Sequence, residues 1–174
     1  MKFKNLYRIE STRLPNWDYT QGSYFITVCT YLRAQSLAQV KDGNAQLTPM
    51  GIIAAEEWQS TASIRSNVTL DAWVVMPDHV HAIIHIYKEH HADQGAVPPR
   101  PQLRSGSLGA IVGQWKSAAT KRIRAAGHTE FAWQTRFYDV IIRDATMLEQ
   151  TRQYIDENPR RWSQDQAQKS GVWM

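Results

Sequence analysis

From Ser23 to Leu32 the chain reads Ser-Tyr-Phe-Ile-Thr-Val-Cys-Thr-Tyr-Leu, a run dominated by aromatic and β-branched residues. That composition suits a pleated, half-buried surface and predicts a strand. The period then changes. Thr48-Pro49 offers an N-cap followed by a first-turn proline, and Ile52, Ile53, Ala55, Trp58 and Ile64 recur at broadly helical spacing, predicting a helix over about 48–65. Val68–Met76 and His79–Tyr87 read as two more strands, joined so closely through Pro77-Asp78 that they must form an antiparallel hairpin. Ser107 caps a predicted helix running to about Ala126, with Leu108, Ile111, Val112, Trp115, Ala119 and Ile123 on one face and Gly127 as its stop. Trp133–Arg143 predicts a fourth strand, and Asp144–Asn158 a last helix ended by Pro159.

The order is β-α-β-β-α-β with one additional helix. This predicts an α+β, ferredoxin-like antiparallel sheet with two helices on one face. The other face stays open unless the C-terminal helix covers it. Residues 1–22 mix charged, aromatic and turn residues without period and read as an N-terminal arm. Residues 23–162 form the expected folded domain and residues 163–174 a polar tail. Lys88 to Ser107, with Pro98-Pro99 and Pro101, reads as a long loop.

At 174 residues, with 43% hydrophobic and 21% charged residues, the chain is neither disordered, nor collagen-like, nor a membrane bundle. Lys plus Arg number 20 against 16 for Asp plus Glu, a balance of +4 that permits a polyanionic partner without requiring one. A single cysteine, Cys29, excludes an internal disulfide framework and a cysteine-rich zinc site. The opening Met-Lys-Phe-Lys-Asn has no apolar stretch of a secretory kind, so a reducing cytoplasmic setting is expected, without membrane attachment.

The sharpest chemical feature is His79-Val80-His81. Side chains alternate along a strand, so both imidazoles lie on one face, about 6–7 Å apart along the chain, with Val80 on the other face. Two unpartnered histidines inside an apolar strand would be costly to bury, which favours a pair of metal ligands over two incidental histidines. His85 continues the face and reads as structural or supporting. In the last helix Tyr154 and Asn158 are four apart and share a face. Laid over the open sheet face, that helix would aim a phenol and an amide oxygen at the histidines. The competing reading makes Tyr154 a core aromatic and Asn158 a cap ahead of Pro159.

Val75-Met76-Pro77-Asp78-His79-Val80-His81, followed by Tyr154-Ile155-x-x-Asn158-Pro159, resembles the REP-associated tyrosine transposases, bacterial relatives of the single-tyrosine insertion-sequence transposases in the HUH nuclease superfamily. Supporting segments occur in order. They are Tyr19 with Tyr24–Thr30, Gln114-Trp115-Lys116-Ser117, and Trp133-Gln134 with Phe137-Tyr138-Asp139, so that the resemblance spans roughly residues 5–162. It implies His79 and His81 as metal ligands, Tyr154 as the nucleophile, and Mg²⁺ or Mn²⁺ as cofactor. Asn158 stands where insertion-sequence relatives carry a Gln ligand; either amide offers an oxygen. The implied activity is cleavage and rejoining of single-stranded DNA at hairpin-forming repetitive extragenic palindromes, through a 5′-phosphotyrosine, by a monomer or homodimer associated with the nucleoid. No general base is evident from sequence, and a phenol, with an ordinary pKa near 10, needs activation. Tyr138 is the rival nucleophile.

From Gln94 to Thr129 there is no acidic residue, yet Arg100, Arg104, Lys116, Lys121, Arg122 and Arg124 occur there. A one-signed stretch of this kind reads as a phosphate track. Arg104, Lys116, Lys121, Arg122 and Arg124 are therefore candidate nucleic-acid contacts, and Arg160-Arg161 would extend them. Two other classes stay open. A non-catalytic ferredoxin-like module would bind nucleic acid through stacking aromatics, although His79 and His81 occupy the central strand where these would be wanted. A metal-dependent hydrolase using metal-bound water would leave Tyr154 without a role.

Overall fold

The computed structural model describes residues 14, 16–88 and 106–170, with side chains as far as 165. The elements are β1 (Gly22–Cys29), β2 (Ala38–Lys41), β3 (Asn44–Leu47), α1 (Pro49–Ser63), β4 (Val68–Val75), β5 (His79–Ile86), α2 (Leu108–Ala125), β6 (Tyr138–Ile142) and α3 (Ala145–Ser170). The main sheet has the order β4-β5-β1-β6 and is antiparallel throughout, which is the ferredoxin-like arrangement expected from the element order.

Alternation sorts the sheet into two faces. Tyr24, Ile26 and Val28 of β1, with Val80, Ala82, Ile84 and Ile86 of β5, bury against Trp58 of α1 and Ile111, Val112, Trp115 and Ile123 of α2. The two tryptophan rings meet edge-on, centroids 5.2 Å apart. The opposite face carries Ile83 and Ile142, covered by Ile155 with Met147, Leu148 and Tyr154 of α3. Because α3 closes this second face, β5 is buried on both sides, and the histidines interleaved with Val80 and Ala82 are buried too.

Helix starts follow the sequence. The Thr48 hydroxyl accepts from Gly51 N, and the Ser107 hydroxyl from Ala110 N. Gly51 is required by space, since a Cβ there would lie 1.9 Å from the Leu37 carbonyl oxygen.

Four expectations need correction. The β2–β3 hairpin is absent from the sequence reading. Its strands are four residues long and weakly apolar, but Asp42 (φ 52°) and Gly43 (φ 73°) make the two-residue turn that an Asp-Gly pair signals. The first strand stops at Cys29 rather than Leu32, because Leu32 and Arg33 take positive φ in a short 3₁₀ turn. The fourth strand is only Tyr138–Ile142; Trp133 forms an isolated bridge to Thr30. Finally, Pro159 lies inside α3 instead of ending it. Proline removes one donor from the ladder, yet the helix beyond it has packing to gain: Pro159 is buried, Trp162 packs against His79, and Arg160 approaches Gly43 at the hairpin turn. The helix therefore continues past residue 162 into the segment read as a polar tail, while residues 171–174 lie outside the described residues, as does most of the N-terminal arm.

Candidate active site

His79 and His81 begin β5, directly after the Met76-Pro77-Asp78 turn. Their rings lie closer than the spacing along the strand, with centroids 4.4 Å apart and planes at 71°. Each is fixed through Nδ1. His79 Nδ1 lies 2.6 Å from Asp78 Oδ1; a carboxylate only accepts, so this nitrogen carries a proton and Nε2 is the atom turned away from Asp78. Thr27, the cross-strand partner of His81 on β1, places its hydroxyl 2.9 Å from His81 Nδ1. The turn is itself held. Thr30 N and Oγ1 donate to the Asp78 carbonyl at 2.9 and 3.0 Å, and Arg33 Nε lies 3.0 Å from Asp78 Oδ2.

His79 and His81 are 5% and 3% exposed. Burial, then the neighbouring His79, then Arg33, push the His81 pKa well below its ordinary value. His81 is thus a neutral imidazole at physiological pH, the coordinating form.

The tyrosine helix lies over these rings. Tyr154 meets His81 edge-on with centroids 5.3 Å apart, and Phe25 at 5.9 Å; Phe25 in turn stacks on His81 at 5.2 Å. Trp162 approaches His79 at 6.0 Å. Tyr154, Asn158 and Trp162 succeed one another at four-residue intervals on one helix face. Asn158, 7% exposed, is therefore bracketed by the two residues that touch the histidine pair. The Arg161 guanidinium sits 5.6 Å from the Tyr154 ring centroid while donating to Glu157.

This donor set fits a divalent cation. Two imidazoles pre-oriented through Nδ1, with the buried side chain of Asn158 on the helix face above them, suit a metal of borderline or hard character. Among the described residues no three His, Cys, Asp or Glu side chains are grouped to hold a metal ion. A third protein ligand beside the histidines would accordingly come from an amide such as Asn158.

Tyr138 pairs with Thr27 across β1 and β6, so it shares this sheet face. The β1 strand separates it from His81, a span of about 10 Å across two strand spacings. Tyr154 touches the histidine ring; Tyr138 stands one strand removed.

The basic residues of α2 are elsewhere. α2 packs on the opposite sheet face, and most of its cations have partners within the fold. Lys116 Nζ donates to the carbonyls of Gln134 and Thr135 at 2.5 and 3.2 Å, and burial lowers its pKa. Arg122 bonds Glu57 and Glu56 of α1 at 2.8 and 2.6 Å. Arg124 Nε donates to the Phe131 carbonyl at 3.0 Å. Lys121 is exposed, and Arg104 lies outside the described residues, as does Arg100. Lys116→Met is therefore expected to destabilise the fold by about 1–2 kcal/mol, since it leaves two carbonyls without their donor. Chemical denaturation would measure this.

Sequence reasoning passed over Thr27, Phe25, Asp78 as orienting group, and Trp162. Trp162 continues the Tyr154–Asn158 spacing and could have been found by extending that face past Pro159. A second polar cluster also went unread. His85 Nδ1 lies 2.7 Å from Ser23 Oγ and His85 Nε2 3.1 Å from Asp71 Oδ2, while Arg152 forks onto Asp71 from α3 at 2.9 and 2.6 Å. The Arg152 guanidinium above all, helped by His85 and Ala72 N–H, holds the Asp71 carboxyl far below the usual carboxylate range. A carboxyl depressed in the folded state adds stability above its unfolded pKa of about 3.9 and loses it as pH falls further. Thermal unfolding from pH 6 to pH 3 should therefore show the gap between wild type and Asp71→Asn narrowing below about pH 4.

This fold is shared with a solved REP-associated tyrosine transposase bound to a REP hairpin: TM-score 0.57, 20% identity, spanning 86% of this chain and 73% of that one. No family model matches the chain. A protein of Haemophilus influenzae described as uncharacterized is 31% identical over 166 residues, covering 90% of this chain and 91% of that one. The chain belongs to the same family as that Haemophilus influenzae protein. Among the described residues, no helix is long and apolar enough to cross a membrane.

Proposed function

We propose that this protein is a metal-dependent, single-tyrosine DNA transposase of the HUH type, which cuts and rejoins single-stranded DNA beside hairpin-forming palindromic repeats. The observation that carries the proposal is the edge-on contact of Tyr154 with His81 of the buried His79–His81 pair. The relative solved with a bound REP hairpin supports the choice of substrate. His79, His81 and Asn158 would hold the ion, Mg²⁺ or Mn²⁺, with Asp78 and Thr27 fixing the imidazoles through their second nitrogens. Such an ion would polarise the scissile phosphate.

The protein's own part is positioning and nucleophilic attack. The Tyr154 oxygen attacks phosphorus and loses its proton; the bond to the 3′ oxygen breaks, and that oxygen takes up a proton. The products are a free 3′-hydroxyl and a 5′-phosphotyrosine. Because the phosphodiester energy stays in the covalent link, a 3′-hydroxyl can reverse the step and reseal a strand. Arg161, beside the phenol ring, adds positive charge where the phosphate would approach. Unpaired bases would stack on exposed aromatic rings, of which Tyr31 beside the Asp78 turn, and Trp17 and Tyr87 at the far end of the sheet, are candidates.

The test is to incubate the protein with Mn²⁺ and an oligonucleotide carrying an imperfect hairpin with single-stranded flanks. A protein–DNA adduct that chelation abolishes is the expected product. Binding without cleavage would instead indicate a non-catalytic module. Cleavage without an adduct would indicate hydrolysis by metal-bound water.

A further inference from the structure

We infer that Asp71 is a positioning residue for Tyr154, acting through the bidentate fork of Arg152; this rests on the proposed role of Tyr154 as nucleophile. The apolar contacts that seat α3, made by Met147, Leu148 and Ile155 on Ile83 and Ile142, are non-directional. They bury the helix but do not fix its roll about its own axis. A planar guanidinium bonded at both ends to one carboxylate does fix it. Arg152 Nε and Nη2 reach Asp71 Oδ1 and Oδ2 at 2.9 and 2.6 Å, from a position two residues before Tyr154.

The sheet is built to present that carboxylate. Pairing between β4 and β5 runs Leu70 with Ile84 and then Trp73 with Ala82, so Asp71 and Ala72 together oppose Ile83. This is a β-bulge, a device that re-aims a side chain. Leu70 and Trp73 keep their places over α1 and α2, while Ala72 and Val74 face α3. The carboxylate is held rigid from its own side as well. Ala72 N donates to Oδ1 at 2.6 Å, and His85, braced by Ser23, stands 3.1 Å from Oδ2. A chain of contacts from β1 through β5 and β4 thereby fixes the helix that carries the tyrosine.

The magnitude follows from geometry. At the side-chain radius of about 5–6 Å, a helix roll of about 10° moves a group by about 1 Å, and a misplacement of that size can cost on the order of 10²-fold in rate.

The experiment compares wild type with Asp71→Asn, Arg152→Met and the double variant, well below their melting temperatures. It follows the single-turnover rate of adduct formation, the oligonucleotide concentration giving half-saturation, and amide hydrogen exchange along α3. The expected result is a loss of about 10²-fold in the saturated rate, with half-saturation unchanged. The double variant should be no slower than the slower single, and α3 should exchange faster while β1 and β5 do not. Arg152→Met keeps the test open should Asp71→Asn fold poorly. An unchanged saturated rate, additive losses in the double variant, or an effect confined to half-saturation would overturn the inference; the last would make Arg152 a DNA contact. If wild type forms no adduct at all, the nuclease reading fails. The clamp is then judged by exchange alone, faster α3 exchange supporting it and unchanged exchange refuting it.

Discussion

Tyr154→Phe is expected to abolish the covalent protein–DNA adduct and to lower strand cleavage by about 10⁴-fold or more, the scale seen when an enzyme loses its nucleophile. The substitution removes one oxygen. The phenyl ring still fills the space beside His81 and Phe25, so the protein should stay folded and its affinity for the oligonucleotide close to wild type. Gel mobility under denaturing conditions measures the adduct, and thermal unfolding provides the control. A role for Tyr154 as core aromatic alone predicts the reverse, with cleavage intact and stability altered at most.

The second large effect concerns the histidines. His81→Ala is expected to weaken Mn²⁺ binding by more than the 10–100-fold typical of losing an outer-shell partner, and to reduce adduct formation in step. Excess Mn²⁺ should restore part of the activity. The same variant opens space beside Phe25, Thr27 and Tyr154, so some loss of stability is expected. The discriminating quantity is therefore metal affinity, measured by titration calorimetry on the folded protein. If Mn²⁺ bound the variant and wild type equally, the ion would have to be placed away from β5.

Much of this arrangement was legible because it depends on period alone. Val80 sits between two histidines, and a strand's alternation commits all three to their faces before any contact is known. Tyr154 and Asn158 follow equally from the helical period. Thr27 and Asp78 were illegible as histidine partners because their roles depend on cross-strand register and on the turn geometry. The β4 bulge escaped for a similar reason, since one extra residue in an otherwise regular strand leaves no mark on the hydrophobic pattern. Pro159 misled because its local cost was read without the packing of Trp162 and Arg160 beyond it. The acid-free stretch of α2 shows a different limit. Charge along the sequence did not reveal that Arg122 faces Glu56 and Glu57, nor that Lys116 turns inward to two carbonyls.

Mass-spectrometric mapping of the adduct tests the central claim most directly. Trypsin separates the two candidate tyrosines, since Tyr154 falls in the peptide Gln153–Arg160 and Tyr138 in Phe137–Arg143. After reaction with Mn²⁺ and the flanked hairpin, the nucleotide mass is expected on Gln153–Arg160, joined through the 5′ phosphate of the downstream strand. A nucleotide on Phe137–Arg143, or cleaved DNA bearing a free 5′ phosphate with both peptides unmodified, would contradict it.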